Sequence, residues 1–416
     1  MPTDCQGEFP SGTVDYDAVI AFKNRLLETA WKNFKAGACK RLQPVYDEFR
    51  RQQEHWLDDY ALFGALKTRF HGEYYLEWPE EFVQLRTDSL NAARRELADQ
   101  IDQIGFAQFL LFRQTDQLKD YAHSKGVRLI GDLPFFVSPI SSDVWADPEF
   151  FLLDERRRPR FVAGVPPDYF TADGQLWGNP VYNWDALRAT GFRWSIERLR
   201  ALLAHVDAIR LDHFRAGWNV PAGSSTAQSG QWVQGPGSGF FAAVQEELGS
   251  LPFIAEDLGF ITPDVHALRD QFRLPGTRVL QFAFDGRSDN PYLLSNFVSN
   301  TVAYTGTHDN PPTREWYEQL PEYQRQNFWN YLKCAPGASE DAAPLLVDLA
   351  WKSRAALAVA PLQDVLNLGA ESRMNIPGRA TVNWRWRSPA DMASHPAFRW
   401  LHDLTEMSHR VEPEMA

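Results

Sequence analysis

The sequence predicts a parallel α/β fold, and three observations support that prediction. From about residue 127 onward, short β-branched and apolar runs alternate with segments of helical periodicity, which is the pattern of repeated strand–helix units. Nearly every predicted strand ends in an acidic residue or runs into one a few positions later. The chain has 416 residues, enough for one large barrel-type domain with insertions or for two ordinary domains, and its length does not decide between them.

The residues before the first strand are predicted to be helical. Apolar residues recur at helical spacing between residues 14 and about 103. A further helix over residues 106–121 is followed by Gly126, which is suited to a helix C-cap. We therefore predict a mainly helical inserted subdomain over residues 1–104, followed by a catalytic (β/α) barrel region over residues 105–416.

Six short apolar segments are predicted to form the strands of the sheet. Because active sites of parallel α/β barrels lie at the C-terminal ends of the strands, a ring of acids at those ends is what a carboxylate-driven site requires. Strand-end acids also cap following helices, so any single member of the ring can be structural. The predicted strands are residues 127–132, 206–212, 252–256, 278–285, 301–305 and 358–364. The acids at or beyond their ends are Asp132, Asp212, Glu256, Asp285, Asp309 and Asp364.

Two insertions interrupt the alternation of strands and helices. Residues 137–193 are rich in proline, glycine and aromatic residues, too irregular for a helix and too aromatic for a disordered linker. This segment is predicted to be an ordered loop subdomain. The second insertion, residues 220–239, carries many glycines and serines, and long loops after barrel strands usually border the substrate.

Residues 206–215, with the sequence VDAIRLDHFR, combine an apolar strand with an arginine, an aspartate and a histidine. Side chains two apart on a strand leave the same face, so Arg210 and Asp212 are expected to point together. A neighbouring cation keeps a carboxylate ionised, as a nucleophile must be. An ordinary ion pair at a strand end is the alternative, and this segment taken alone does not decide between them.

Retaining glycoside chemistry needs an ionised carboxylate and a protonated acid whose carboxyl groups are about 5–5.5 Å apart. Asp212 suits the first role. Glu256 suits the second, because it follows an apolar run and desolvation raises the pKa of a carboxyl group. Asp257 is its competitor, since neighbours on a strand face opposite sides and periodicity does not select one of them.

His308 and Asp309 follow the strand predicted over residues 301–305. A hydrogen-bond donor and a second fixed negative charge can grip sugar hydroxyls and stabilise an oxocarbenium-like transition state. A structural histidine is the alternative for His308.

Composition excludes several classes of function. The net charge of −12, without a basic block, disfavours nucleic acids and anionic membranes as partners, and no run approaches membrane-spanning length. The sequence contains no Walker loop, HExxH, CxxC or GxSxG motif, which argues against nucleotide and zinc chemistry. Cys5, Cys39 and Cys334 lie far apart without metal-ligand spacing, which favours a reducing compartment, and we expect a cytoplasmic protein.

Nine segments of the sequence, taken together, are highly specific for one protein family. IRLDHF or THDN alone would mark only the wider amylase-like group. The nine segments are GDLPFFV (131–137), VWADPEFF (144–151), AGVPPDYF (163–170), GQLWGNPVYNWD (174–185), IRLDHFR (209–215), AEDLG (255–259), YTGTHDN (304–310), PLQDVLNLG (361–369) and MNIPG (374–378). From about residue 14 to about residue 386 the chain resembles the 4-α-glucanotransferases, also called amylomaltases or disproportionating enzymes, which are relatives of the α-amylases.

The resemblance implies a TIM-barrel fold of the (β/α)8 type with inserted subdomains, needing neither a metal nor an organic cofactor. It implies that Asp212 is the nucleophile, Glu256 the acid/base and Asp309 the transition-state stabiliser, with Arg210 and His308 supporting them. The further substrate-binding candidates that it implies are Asp132, Trp177, Asn179, Pro180 and His213. Residues 1–13 do not resemble the segment that supplies the first two barrel strands in the family, so we expect a barrel that lacks these two strands.

The activity implied by the resemblance is retaining transfer of α-1,4-glucan segments from a donor maltooligosaccharide to the 4-hydroxyl of an acceptor such as glucose or maltose. Two alternatives stay open at this point: an α-1,4-glucan hydrolase of the amylase type, and a truncated, inactive glucan-binding remnant. Self-association of the chain is also left open.

Overall fold

The computed structural model describes residues 7–167, 173–215, 217–259, 261–379 and 381–411. Cys5 and the last three residues of the AGVPPDYF segment lie outside the described residues. The chain forms two compact units: the first unit is residues 21–253, and the second unit is residues 254–416 together with residues 1–20. Among the described residues, no helix is both long enough and apolar enough to cross a membrane.

The helices and strands follow one another in the order that the sequence pattern indicates, helices first and then strands alternating with helices. The helices are α1 (Tyr16–Lys35), α2 (Gln43–Arg69), α3 (Glu80–Val83), α4 (Thr87–Glu96), α5 (Ala98–His123), α6 (Ser142–Ala146), α7 (Trp184–Ala189), α8 (Arg193–His205), α9 (Ser238–Leu248), α10 (Pro263–Gln271), α11 (Thr313–Gln319), α12 (Glu322–Leu332), α13 (Ser339–Lys352), α14 (Leu362–Val365) and α15 (Ala397–Met407). The strands are β1 (Ile130–Leu133), β2 (Phe161–Val165), β3 (Gln175–Pro180), β4 (Ala208–Leu211), β5 (Gly217–Pro221), β6 (Gln231–Val233), β7 (Phe253–Ala255), β8 (Gly276–Val279), β9 (Thr301–Tyr304) and β10 (Leu357–Val359).

The helical part of the first unit is held together by an aromatic core. Helix α2 begins with a proline near its N-terminus, where a missing N–H costs nothing, and its buried residues Leu57, Ala61 and Ala65 recur every four positions along one face. A cluster of rings fills the core between the helices of this unit: Trp31, Phe34, Tyr46, Phe106 and Phe109. Residue 104 lies inside α5, and the predicted subdomain boundary at that position stays a prediction.

In the first unit, β1 and β4 form a parallel pair. Asp132 of β1 lies opposite Arg210 of β4 in the register. The backbone N–H of Ile209 donates a hydrogen bond of 2.8 Å to the carbonyl of Pro252, immediately before β7. Parallel pairing brings the C-terminal ends of strands to the same edge, and this places the acid of one strand beside the arginine of the next.

In the second unit, four strands pair in parallel in the order β7-β8-β9-β10. Every residue of β8 and β9 is buried, because apolar side chains cover both faces, as is usual for parallel sheets. On one side Ile254, Val279, Val302 and Tyr304 pack together. A second cluster contains residues of α11, α12 and α13, including Trp316, Phe328 and Leu346, together with Ala303 of β9.

The six predicted parallel strands are all present among the described residues, and the parallel α/β prediction is confirmed. The predicted extents of two strands are wrong. The strand predicted over residues 358–364 ends at Val359, and Asp364 lies in the helix α14 (Leu362–Val365). The strand predicted over residues 278–285 is also shorter. The strand ends at Val279, residues 280–282 form a 3-10 helix, and Asp285 lies in an exposed turn where it accepts a hydrogen bond from the N–H of Arg287. A continuous apolar run does not distinguish a buried strand from a buried helical turn.

The two insertions are more regular than the sequence indicated, since both contribute to one antiparallel sheet in the order β3-β2-β5-β6. The strands escape detection because they are short and contain glycine and proline, which are depleted in strands. Gly164 shows why glycine is needed: a Cβ there would lie 2.4 Å from the carbonyl oxygen of Gln175 on the neighbouring strand.

Candidate active site

In the first unit, Arg210 lies between two carboxylates. Its Nη1 atom is 2.8 Å and 2.7 Å from the two carboxylate oxygens of Asp132 and 3.4 Å from Oδ1 of Asp212. Arg210 is 5% exposed, whereas the side chains of Asp132 and Asp212 are 38% and 36% exposed. Arg210 and Asp212 lie close together, as expected, but Arg210 makes its shorter contact with Asp132 on the adjacent strand. The buried cation therefore faces two carboxylates that ligands can reach.

His213 follows Asp212 in an unusual backbone conformation. Its φ is +52°, in the left-handed region that non-glycine residues adopt rarely and at a cost of about 1–3 kcal/mol. The imidazole meets the ring of Trp177 edge-on, with 5.1 Å between centroids. Burial, and to a lesser degree the charge of Arg215, lower the pKa of His213 to about 4. The imidazole is therefore neutral at neutral pH.

Trp177 offers an aromatic face beside this histidine. It is 37% exposed, and its indole N–H donates a hydrogen bond of 3.2 Å to the side chain of Gln175. Half-exposed aromatic rings with a fixed orientation are typical of ligand sites.

Two other predicted substrate-binding residues have contacts of their own within the fold. Asn179 donates from Nδ2 to the carbonyl of Val137 at 2.8 Å, and Pro180 is buried opposite Val162 in the sheet register.

In the second unit, Glu256 and Asp257 face different surroundings. The side chain of Asp257 is fully buried. It accepts a hydrogen bond of 2.7 Å from the N–H of Thr277, lies 3.2 Å from Nη1 of Arg278, and forms an ion pair with Arg269. Glu256 is half-buried and follows β7 directly. Asp257 is thus held by buried contacts within the second unit, whereas Glu256 is only half-buried.

His308 and Asp309 lie in the turn that follows β9. Nε2 of His308 is 3.4 Å from Oδ2 of Asp309, and the His308 ring lies 5.2 Å from the ring of Trp384. Asn375 donates a hydrogen bond of 2.5 Å from its amide to Oδ1 of Asp309. Sequence reasoning assigned no role to Asn375 or Trp384. Asn375 lies inside the MNIPG segment, and that motif could have indicated it as a candidate residue.

Asp364 belongs to the structure and not to the ring of candidate acids. It is 1% exposed and accepts hydrogen bonds from Oγ1 of Thr305 (2.5 Å), the N–H of Thr313 (2.7 Å) and Oγ1 of Thr313 (2.7 Å). Burial raises the pKa of Asp364 above its usual range. Asp285 does not belong to the ring either, because β8 ends at Val279, before the chain reaches Asp285. The predicted ring of six acids is therefore wrong for these two members.

One group of described residues has a histidine and carboxylates close enough to share a metal ion. It consists of His402, Asp403 and Glu406 on α15, whose candidate ligand atoms lie within 4.8 Å of one another. All three residues are exposed, and exposed groups of this kind are common without a metal. We assign no metal to them.

Comparison with known proteins gives matches over almost the whole chain. The family described as 4-alpha-glucanotransferase matches residues 3–392. The 4-alpha-glucanotransferase of Synechocystis sp. is 44% identical over 408 residues, which are 97% of this chain and 80% of the relative. The 4-alpha-glucanotransferase of Thermus thermophilus is 44% identical over 412 residues, 97% of this chain and 82% of the relative. A solved amylomaltase from Streptococcus agalactiae, in complex with acarbose, superposes with a TM-score of 0.92 at 33% identity and covers 98% of this chain and 82% of that chain.

Proposed function

This chain belongs to the 4-alpha-glucanotransferase family, and on that premise we propose that Asp212, Glu256 and Asp309 carry its chemistry. It is an enzyme that transfers α-1,4-glucan segments, with α-glucans and maltooligosaccharides as substrates. The observation that carries the assignment of the nucleophile is the buried Arg210 guanidinium against Asp132 and Asp212. A guanidinium stabilises a neighbouring carboxylate as the anion, which is the form that attacks carbon.

In the first half of the proposed reaction, a carboxylate oxygen of Asp212 attacks C1 of a glucose unit. The bond between C1 and the oxygen of the leaving chain breaks, and the carboxyl group of Glu256 donates its proton to that oxygen. The products are a covalent glycosyl–enzyme ester and a shortened glucan. In the second half, Glu256 as carboxylate removes a proton from the 4-hydroxyl of an acceptor sugar. That oxygen attacks C1 and displaces Asp212, so the α configuration is retained.

Asp309 and His308 are proposed to act on the transition state. Positive charge develops at C1 and the ring oxygen as the leaving group departs, and a fixed negative charge lowers the energy of that state most where water is excluded. The contact of Asn375 with Asp309 supports this role because it fixes the carboxylate without neutralising its charge. His308 would donate hydrogen bonds to sugar hydroxyls.

Asp132, Trp177 and His213 are proposed as substrate-binding residues. The exposed face of Trp177 and its edge-on contact with His213 support this assignment for both rings. In this proposal, Asn179 and Pro180 contribute to substrate binding indirectly, by holding the backbone in place. A cytoplasmic location is proposed as well, supported by the exposed thiols of Cys39 and Cys334.

The acceptor in the second half of the reaction is proposed to be a sugar, with glucose and maltose as the smallest examples. Incubation with pure maltotriose tests this, with products separated by anion-exchange chromatography. We expect glucose together with maltopentaose and longer chains. Glucose and maltose without any longer product would instead identify a hydrolase.

Substitution of the proposed nucleophile gives the matching test of mechanism. Asp212→Asn is expected to abolish elongation while the protein still unfolds cooperatively. Asp285→Asn is the control, because Asp285 lies in an exposed turn outside the proposed machinery. Full activity of the Asp212→Asn variant would overturn the assignment.

A further inference from the structure

We propose that Asp364 is a positioning residue for Asp309, because its buried carboxylate binds both ends of the segment of residues 305–313, called here the acid loop. The inference rests on the proposed function, in which Asp309 stabilises the transition state. Asp364 does not touch substrate in this proposal and acts only through the acid loop.

The contacts of Asp364 join the two ends of the acid loop. Thr305 precedes the turn that carries His308 and Asp309, and Thr313 follows that turn at the start of α11. One carboxylate oxygen, Oδ2, accepts from both threonine hydroxyls, and Oδ1 accepts from the backbone N–H of Thr313. Asp364, Thr305 and Thr313 are each at most 1% exposed, so water does not compete for these bonds.

A second buried side chain supports the same loop. Gln281 is 5% exposed, and its amide donates to the carbonyl of Pro311 at 3.0 Å and to Oγ1 of Thr313 at 3.2 Å. The loop backbone packs closely on this amide, since a Cβ at Gly306 would lie 2.8 Å from Nε2 of Gln281. The C-terminal end of the loop is therefore held both by a carboxylate and by an amide.

The middle of the loop is held from another direction. Asn375 donates to Asp309, and the carbonyl of Asn375 accepts from Nε of Arg373 at 3.1 Å. Nη1 of Arg373 lies 3.1 Å from Oε1 of Glu315, two residues beyond the acid loop. Gln281 also reaches the start of the loop, because its backbone N–H donates to the carbonyl of Thr305 at 3.3 Å. Asp364 binds the start and the end of the loop with a single buried carboxylate.

The chemical reason for such support is that electrostatic stabilisation depends on position. Asp309 lowers the barrier only if its charge lies where positive charge develops, and a displacement of about 1 Å in an active-site group can cost about 100-fold in rate. Binding of the ground-state glucan involves many other contacts, so loosening the loop should lower kcat much more than it raises KM.

The first test compares two loop variants with two controls, using initial rates on maltotriose and thermal unfolding. Asp364→Asn removes the charge, and Thr305→Val removes one hydroxyl at nearly constant volume. Both are expected to lower kcat about 10- to 100-fold with KM changed less than about threefold. Thr305→Ser, which keeps the hydroxyl, should restore most of kcat, and Asp285→Asn should leave it unchanged. If Asp364→Asn fails to fold, Thr305→Val against Thr305→Ser decides alone. Equal kcat for Thr305→Val and wild type would overturn the proposal.

The second test separates this proposal from the role of Asp309 by a double-mutant cycle. Asp309→Asn should reduce kcat strongly, and adding Thr305→Val to it should cause little further loss, because the loop then has no charge to position. Losses that multiply in full would show that Thr305 acts independently of Asp309 and would overturn the inference. Unchanged kcat for Asp309→Asn alone would instead refute the proposed function.

Discussion

Glu256 and Asp257 are adjacent carboxylates that differ in burial, and this difference gives a prediction at the scale of single residues. Glu256→Gln should lower transferase activity by about 10²–10⁴-fold, the usual contribution of a general acid, without changing the melting temperature. Initial rates with maltotriose and a thermal scan of the same preparation measure both effects.

Asp257→Asn is the matched partner of that substitution. Removing the charge leaves Arg269 and Arg278 near an uncharged amide in a buried site, and loss of one partner of a buried ion pair costs about 3–5 kcal/mol. Urea unfolding should show that loss. A stable Asp257→Asn variant with abolished activity would reverse the two assignments.

His213 gives a prediction about pH. In an unfolded chain a histidine protonates near pH 6.5, whereas burial keeps the folded imidazole neutral down to about pH 4. Between these values the unfolded state binds the extra proton, so the contribution of His213 to stability is present above pH 6.5 and is lost as the pH falls toward 4. NMR titration of the imidazole checks the first statement. Unfolding free energies of wild type and His213→Asn, a residue that tolerates left-handed φ, check the second, and the variant should show the weaker dependence.

The proposed site residues that the sequence indicated are those whose evidence is local. Arg210 and Asp212 lie two positions apart on one strand, and His308 and Asp309 are neighbours. Asn375 escaped because its partner Asp309 is 66 positions away, and no local pattern shows such a contact. Asp364 was predicted to be a strand-end acid because residues 358–364 form one apolar run, whereas the structure buries it in α14, and no local pattern shows that burial.

At the scale of secondary structure, the antiparallel sheet β3-β2-β5-β6 is the main feature that the sequence concealed. Its strands have irregular composition, and their pairing joins two insertions separated by a helix and a strand of the parallel sheet. The strands of the parallel sheet were predictable because each is a compact apolar run followed by a change in composition. Their ends were less predictable, as the early end of β8 shows.

The close approach of β2 and β3 at Gly164 leads to a prediction for the element that carries Trp177. Gly164→Ala places a methyl group against the carbonyl of Gln175, so the strands must separate. We expect a lower melting temperature and a KM for maltotriose that rises more than kcat falls, since the aromatic face moves with β3. Gly239→Ala in α9 is the control, because a Cβ there meets nothing within 4 Å and alanine favours the helix by up to about 1 kcal/mol. Equal behaviour of the two variants would contradict this account.

At the scale of the whole molecule, the contact pattern joins regions that are far apart in sequence. The N–H of Val14 donates to the carbonyl of Arg385 at 2.7 Å, and the N–H of Arg387 donates to that of Gly12 at 3.1 Å. Residues 1–20 therefore belong to the same compact unit as residues 254–416. Periodicity reveals the type of each element and the parallel α/β class, but it contains no information about pairings between residues as far apart as Val14 and Arg385.

The surface of the first unit also leads to a prediction. Four large apolar residues between positions 118 and 130 are about half exposed or more, namely Leu118, Tyr121, Val127 and Ile130. Exposed apolar surface promotes association. Leu118→Glu combined with Tyr121→Lys should therefore reduce light scattering on heating without changing kcat, whereas Tyr323→Lys, at an exposed position of the second unit, should have a smaller effect. Unchanged scattering in the double variant would show that other surfaces drive aggregation.

Two of the half-exposed indoles, Trp177 beside His213 and Trp384 beside His308, have a spectroscopic consequence. Indole emission depends on the polarity around the ring, so a glucan that covers either ring should shift the tryptophan fluorescence of the protein. Comparing the signal of wild type with those of Trp177→Phe and Trp384→Phe would assign the change to one ring or the other. Each unit thus contains a tryptophan whose fluorescence should change when a glucan binds. Binding can be followed in the inactive Asp212→Asn protein, where no product forms.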